Sequence, residues 1–263
     1  MDKMIFDYVI MSIIKGFGSS SQNALVNACG GIVNCFELHE EGFIDSELEK
    51  IIGKRRMQLF LAGRKSLEYM ERAEEIISES LNKGIRIVTS EDKDYPMRFR
   101  EIADMPTVLF VKGNLKANDF SYSAGIIGAR RCTQEGKGKA ISSAEKVIHS
   151  GGMVVSGMAK GIDSYSQTAA ILMGGYTIAV LGSGPDICYP KEHQKLYDRI
   201  AEDGCILSEY PPGTRPRDYM FPRRNRLIAA LSDEVYVIDA GRNSGTATTV
   251  EDCVKYGRRV VRL

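Results

Sequence analysis

The chain has 263 residues, a net charge of +1 and an apolar fraction of 43%. That length suits one large domain and one small one, and the even charge balance excludes nucleic-acid binding by bulk attraction, so such a site has to come from basic residues gathered locally. The six cysteines include no CxxC pair and the three histidines lie far apart, which excludes a disulfide framework and a metal cluster and predicts reduced thiols in a cytoplasmic protein. From Met1 to about Asn82 the pattern is helical: Ile5, Val9 and Ile13 recur at helical spacing, and Ile10 and Ile14 widen the stripe. Asp7 interrupts this first apolar run, so no signal peptide is expected, and no run approaches the roughly 20 residues that span a bilayer. Gly16-Phe17-Gly18 stops the first helix, and Ser19 to Ser21 offer caps for the next. The charged stretch Asp45–Leu81 reads as two helices with one packed and one solvated face.

From Gly84 the texture changes. Ile85–Thr89 and Thr107–Lys112 read as short strands. From Ser121 a strand, a glycine turn and a helix recur. The strand candidates there are Tyr122–Ile127, Met153–Val155, Thr177–Leu181, Cys205–Leu207, Glu234–Ile238 and Arg259–Leu263. This alternation predicts an α/β fold with a parallel, doubly wound sheet over 84–263, after a helical domain over 1–82.

The chemistry gathers where strands end. Gly128-Ala129-Arg130-Arg131-Cys132-Thr133 follows the first strand of that sheet. Glycine permits a tight turn, Arg130 adds charge, and Thr133 caps a helix whose amides would face an anion. A solvent-exposed turn with arginines present for solubility is the plainer alternative. Gly157-Met158-Ala159-Lys160-Gly161 follows the next strand, with Asp163 as a helix cap. It offers a phosphate-cradling turn without Walker spacing, and no GxGxxG fingerprint exists. Gly182 ends the third strand. Tyr189-Pro190, with Lys191, His193 and Lys195, combines an aromatic with basic residues that can stack a base and hold its phosphate, or simply starts a helix. Phe221 to Arg226 then place Arg223, Arg224 and Arg226 around Asn225, ahead of an apolar helical run and a buried strand. That is the sheet edge where α/β proteins bind ligands, and guanidinium groups there suit phosphate. Ser244-Gly245-Thr246 opens the last helix with small and hydroxyl residues, again favouring an anion. In a parallel sheet these turns share one edge. No paired carboxylates, Ser-His-Asp order or metal cluster accompany them, so the expected site binds phosphate without cleaving anything, and no cofactor or metal is expected.

GARRCT, SGMAKGID, YPKEH, ILSEYPPGTRP, FPRRNRLIA and a closing SGT turn, in this order, resemble the DprA/Smf family of DNA-processing proteins. DKDYPMRF and PTVLFVKGNL resemble its lead-in segments. The resemblance implies an extended Rossmann-like domain that binds single-stranded DNA as a homodimer and loads the RecA recombinase during natural transformation. It also implies a small N-terminal helical domain of the SAM or helix-hairpin-helix kind. The DNA-contacting positions carried over are Arg130, Lys160, Arg223, Arg224 and Arg226, with Gly128, Gly161 and Asn225 beside them and Phe221 and Tyr189 as base contacts. Gly157, Gly182, Ser244, Gly245 and Thr246 are the phosphate-binding turn positions. Ala129 and His193 depart from the family's usual serine and asparagine, and a C-terminal winged helix carried by many members is expected to be missing. The competing reading is a nucleotide phosphoribohydrolase resembling the LOG family, or a nucleotide-sensing protein. The LOG signature is only partly matched, because Thr249 stands in place of the acid-base glutamate and Glu251 lies two residues away.

Overall fold

The computed structural model describes residues 2–39, 47–100, 102–239 and 245–263. They form two compact units, residues 1–95 with 100–109, and residues 96–99 with 110–263.

The first unit is mostly helical: α1 Lys3–Ile13, α2 Ser19–Cys29, α3 Ile32–Glu37, α4 Glu47–Ile52, α5 Lys54–Gly63 and α6 Leu67–Asn82, followed by β1 Arg86–Thr89. Asp2 caps α1 by accepting from Met4 N at 2.9 Å. The serines expected to cap α2 do not: Gly18 holds the N-cap position and no side chain bonds there. Three helices, not two, occupy the charged stretch, because Gly53 at φ +87° separates α4 from α5. Phe60 centres the core, 5.6 Å from the rings of both Phe17 and Phe36.

The second unit contains most of α7 Met97–Arg100, then β2 Val108–Gly113 from Phe110 onward, and β3 Ser123–Gly128, α8 Gln134–His149, β4 Met153–Ser156, α9 Ile162–Leu172 and β5 Thr177–Val180. It continues through α10 Gln194–Asp203, β6 Cys205–Ser208, α11 Met220–Leu231, β7 Glu234–Ile238, α12 Thr246–Lys255 and β8 Arg259–Arg262. Its strands lie in the order β2-β6-β5-β4-β3-β7-β8. All neighbours run parallel except β2, which is antiparallel to β6 with Phe110 opposite Ser208. β4 to β7 are buried at every position, as strands covered on both faces must be.

Alternation along β3 shows the two layers. Ala124 and Ile126 pack with Ala140, Ala144 and Val147 of α8. Gly125 faces the other way, where a side chain would meet Ile228 of α11 and Ser232. The chain therefore steps outward from β3 through β4, β5 and β6, then returns on the far side of β3 with β7 and β8. The carboxyl ends of β3 and β7 form a topological switch point, and a crevice opens there.

Candidate functional site

β3 ends on Gly128, and Thr133 caps α8 by accepting from Gly136 N at 2.9 Å. The amides at this helix start are expected to face an external anion. The protein supplies its own: the Asp239 carboxylate, just past β7, accepts from Thr133 N at 2.8 Å and from Thr133 Oγ1 at 2.7 Å. Those bonds hold Asp239 below the usual carboxylate range.

The second turn locks against the first. Gly161, at φ +78°, is the N-cap of α9, and a side chain there would strike Ala129 O. Asp163, expected as the cap, lies inside the helix and is buried, accepting from Gly157 N at 3.1 Å. Burial raises its pKa; nearby Arg224 and backbone donors at Gly157 and Ala159 oppose that.

The FPRRNR residues form the opening turns of α11 itself, not a loop before it. Phe221, Arg224, Asn225 and Ile228 follow the i, i+3, i+4, i+7 spacing and share one helical face, which lines the crevice. Arg224 is 5% exposed. Its Nη1 donates to Gly157 O at 2.8 Å and to Val180 O, and its Nε to Asn225 Oδ1 at 3.2 Å. Burial pushes its pKa down to about 10, the Asp163 charge raises it, and Arg130 lowers it. Glycine is needed at position 157 because the guanidinium occupies the space: a Cβ there would sit 2.2 Å from Arg224 Nη1. Gly182 likewise admits the Phe221 ring, 2.9 Å from where its Cβ would lie.

Arg223 and Arg226 lie on another flank of α11. Both face Glu209, beyond β6, with Arg226 Nη2 at 2.5 Å and Arg223 Nε at 3.7 Å from its Oε2. Arg226 is buried and Arg223 half-exposed. Arg224 and Arg226, expected to offer their guanidinium groups to phosphate, turn inward instead. Each is tethered inside the protein.

The crevice has a volume of about 340 Å³. Gly128 and Arg130, the α11 face, and Gly245, Thr246 and Thr249 line it. Asn225 Nδ2 ties α11 to the start of α12 through Gly245 O at 3.1 Å. A side recess of about 90 Å³ adds Gly157, Lys160 and Tyr189 to Arg130 and Phe221. The Arg130 guanidinium lies over the Phe221 ring at 5.8 Å, and the Tyr189 ring is 5.4 Å from Phe221 at 32°. Arg130 is exposed and has no ion pair among the described residues, and Tyr189 is 44% exposed. Lys160 reaches the same rim but pairs with Glu192. Crevice and recess together hold most of the expected residues. Gly161 and Gly182 lie behind them, Arg223 and Arg226 turn to Glu209, and Ser244 lies outside the described residues. Glu209 and Asp239 escaped sequence reasoning. Only their positions just past strand ends hinted at them.

An open, mainly parallel sheet with a crevice at its switch point, rimmed by Arg130, Phe221 and Tyr189, defines a Rossmann-like protein. The sequence profile described as DNA recombination-mediator protein A matches residues 86–263, and the chain belongs to this DNA processing protein A (DprA/Smf) family. It is 37% identical over 244 residues to DNA processing protein DprA of Streptococcus pneumoniae, covering 87% of this chain and 85% of that one. The X-ray structure of that DprA is similar with a TM-score of 0.79 at 32% identity, over 97% of this chain and 86% of the other. A DNA processing protein A from Helicobacter pylori, solved for its single-stranded DNA binding mode, gives 0.62 at 33% identity over 67% and 80%. Protein Smf of Synechocystis is 35% identical over 226 residues, 85% of this chain, which spans 54% of that protein's length.

Proposed function

We propose that the crevice binds single-stranded DNA with little sequence preference, and that the protein hands such strands to a RecA-type recombinase in the cytoplasm as a homodimer. The observation that carries the DNA reading is the Arg130–Phe221–Tyr189 rim: an exposed cation stacked on one ring, with a second ring beside it. Rings take bases of any kind by stacking, while Arg130 and Lys160 take phosphates. Arg224 and Asn225 shape the floor beneath, and Arg223, half-exposed beside Glu209, adds positive potential. The H. pylori relative binds single-stranded DNA, and family membership supports the same ligand here. Recombinase transfer and dimerisation rest on the family alone.

Nucleotide hydrolysis is the weaker reading. Thr249 lines the crevice where an acid-base carboxylate would stand, and Glu251 is exposed and absent from the lining. A titration of labelled single-stranded and blunt duplex oligonucleotides across salt concentrations tests the proposal. Single strands should bind tighter, with a log–log salt slope of about 0.7 per phosphate neutralised. Equal or tighter duplex binding would refute it. Release of free base from nucleoside monophosphates would restore the enzymatic reading.

A further inference from the structure

The stretch from the end of β6 into α11 carries charge that the crevice does not use. Residues 208–226 contain five arginines against Glu209 and Asp218, in a chain whose net charge is only +1. Arg224 and Arg226 are internal, and Arg223 leans on Glu209. Arg215 and Arg217 are exposed and form no ion pair among the described residues.

Their exposure pattern is that of an extended segment, and hydrogen bonds hold it at both ends. Thr214 to Arg217 belong to no helix or sheet, and exposure alternates along them, with Thr214 and Pro216 half-buried and both arginines outward. Residues two apart in an extended chain share a side and stand roughly 7 Å apart. That spacing resembles the distance between successive phosphates of a stretched single strand. Both ends are anchored. Gly213 N donates to the Asp186 carboxylate at 2.9 Å, Gly184 N to Thr214 O at 2.8 Å, and Met220 N to Arg217 O at 2.9 Å. Pro211, Pro212 and Pro216 stiffen the chain further. Such a segment needs little ordering on binding. Asp218, the next residue, already lines the crevice, and Tyr219 presents a ring that is 59% exposed.

We propose that Arg215, Arg217 and Tyr219 form a second subsite for single-stranded DNA, along which the strand runs after leaving the crevice. The two arginines take successive phosphates, and Tyr219 stacks a base. The inference rests on the crevice being a DNA site and lengthens its footprint.

The test compares thymidine oligonucleotides of about 6 and about 20 nucleotides, one near the lower end of common single-strand site sizes and one beyond their upper end. Wild type, Arg215→Ala/Arg217→Ala and Tyr219→Ala are titrated at several salt concentrations, with melting temperature measured for each. The double variant should bind the short oligonucleotide as wild type does. It should bind the long one at least about tenfold more weakly, with a salt slope smaller by about 1.4. Tyr219→Ala should lose affinity for the long strand alone. Unchanged long-strand binding, or an equal loss at both lengths, would overturn the second subsite. Failure of wild type to bind either oligonucleotide would instead overturn the DNA reading beneath it.

Discussion

Replacing Arg224 with alanine should destabilise the fold before it affects any ligand. The change leaves Gly157 O and Val180 O without their donor and strips buried Asp163 of its nearby positive charge. Three buried groups losing partners cost about 1–3 kcal/mol each, or roughly 6 kcal/mol together. Against this, burial already opposes the charge, pushing the guanidinium pKa down to about 10, and removing it relieves part of that loss. The net is about 3 kcal/mol, in line with breaking a buried charge pair. For a unit of this size that lowers the melting temperature by roughly 6–12 °C. Arg224→Met fills the volume without the charge and separates cavity cost from lost bonding. Calorimetry or urea unfolding of both variants measures the effect. An Arg224→Ala melting temperature equal to wild type would refute the reasoning.

Arg130→Ala should behave oppositely, keeping the wild-type melting temperature while weakening single-stranded DNA binding about tenfold or more, as expected for a lost charge-assisted contact, measured by anisotropy. Gly157→Ala should cost about 1–3 kcal/mol in chemical unfolding, because the new methyl group meets the Arg224 guanidinium 2.2 Å away. Asp7 sits buried in α1, with Oδ2 lacking a hydrogen-bond partner and Lys3 Nζ only at 4.0 Å. Burial pushes its pKa up to about 6. The folded chain therefore holds a proton that the unfolded chain releases near pH 4, so stability should fall as pH rises from about 4 to 6. Asp7→Asn should flatten that window and raise stability at pH 7 by about 1–3 kcal/mol, read from unfolding midpoints across pH.

Much of this was legible in the sequence, because strand and helix periods are local signals. All eight strand candidates became strands, and the turns that end β3 and β4 converge with the opening of α11 because parallel strands share an edge. Gly53 misled the helix count because one residue at positive φ splits a helix without altering the surrounding charge pattern. The arginines misled more deeply. Arginine reads as a surface or ligand residue, yet the α11 register decides which ones turn inward. Phe221 and Arg224 fall on the crevice face, and Arg226 falls against Glu209, a residue 17 positions away in sequence. The α8 start misled for a similar reason: its anion is Asp239, supplied 106 residues later just past β7. Such long-range pairs leave no periodic trace.

In the proposed complex a single strand lies across the Arg130–Phe221–Tyr189 rim. Photocrosslinking with an iodouracil-substituted oligonucleotide, followed by mass spectrometry of the adducts, locates the strand directly. Adducts should form on Tyr189 and Phe221 and diminish in Arg130→Ala. Adducts confined to the helical residues 2–39 and 47–82, with none at the rim, would contradict that placement.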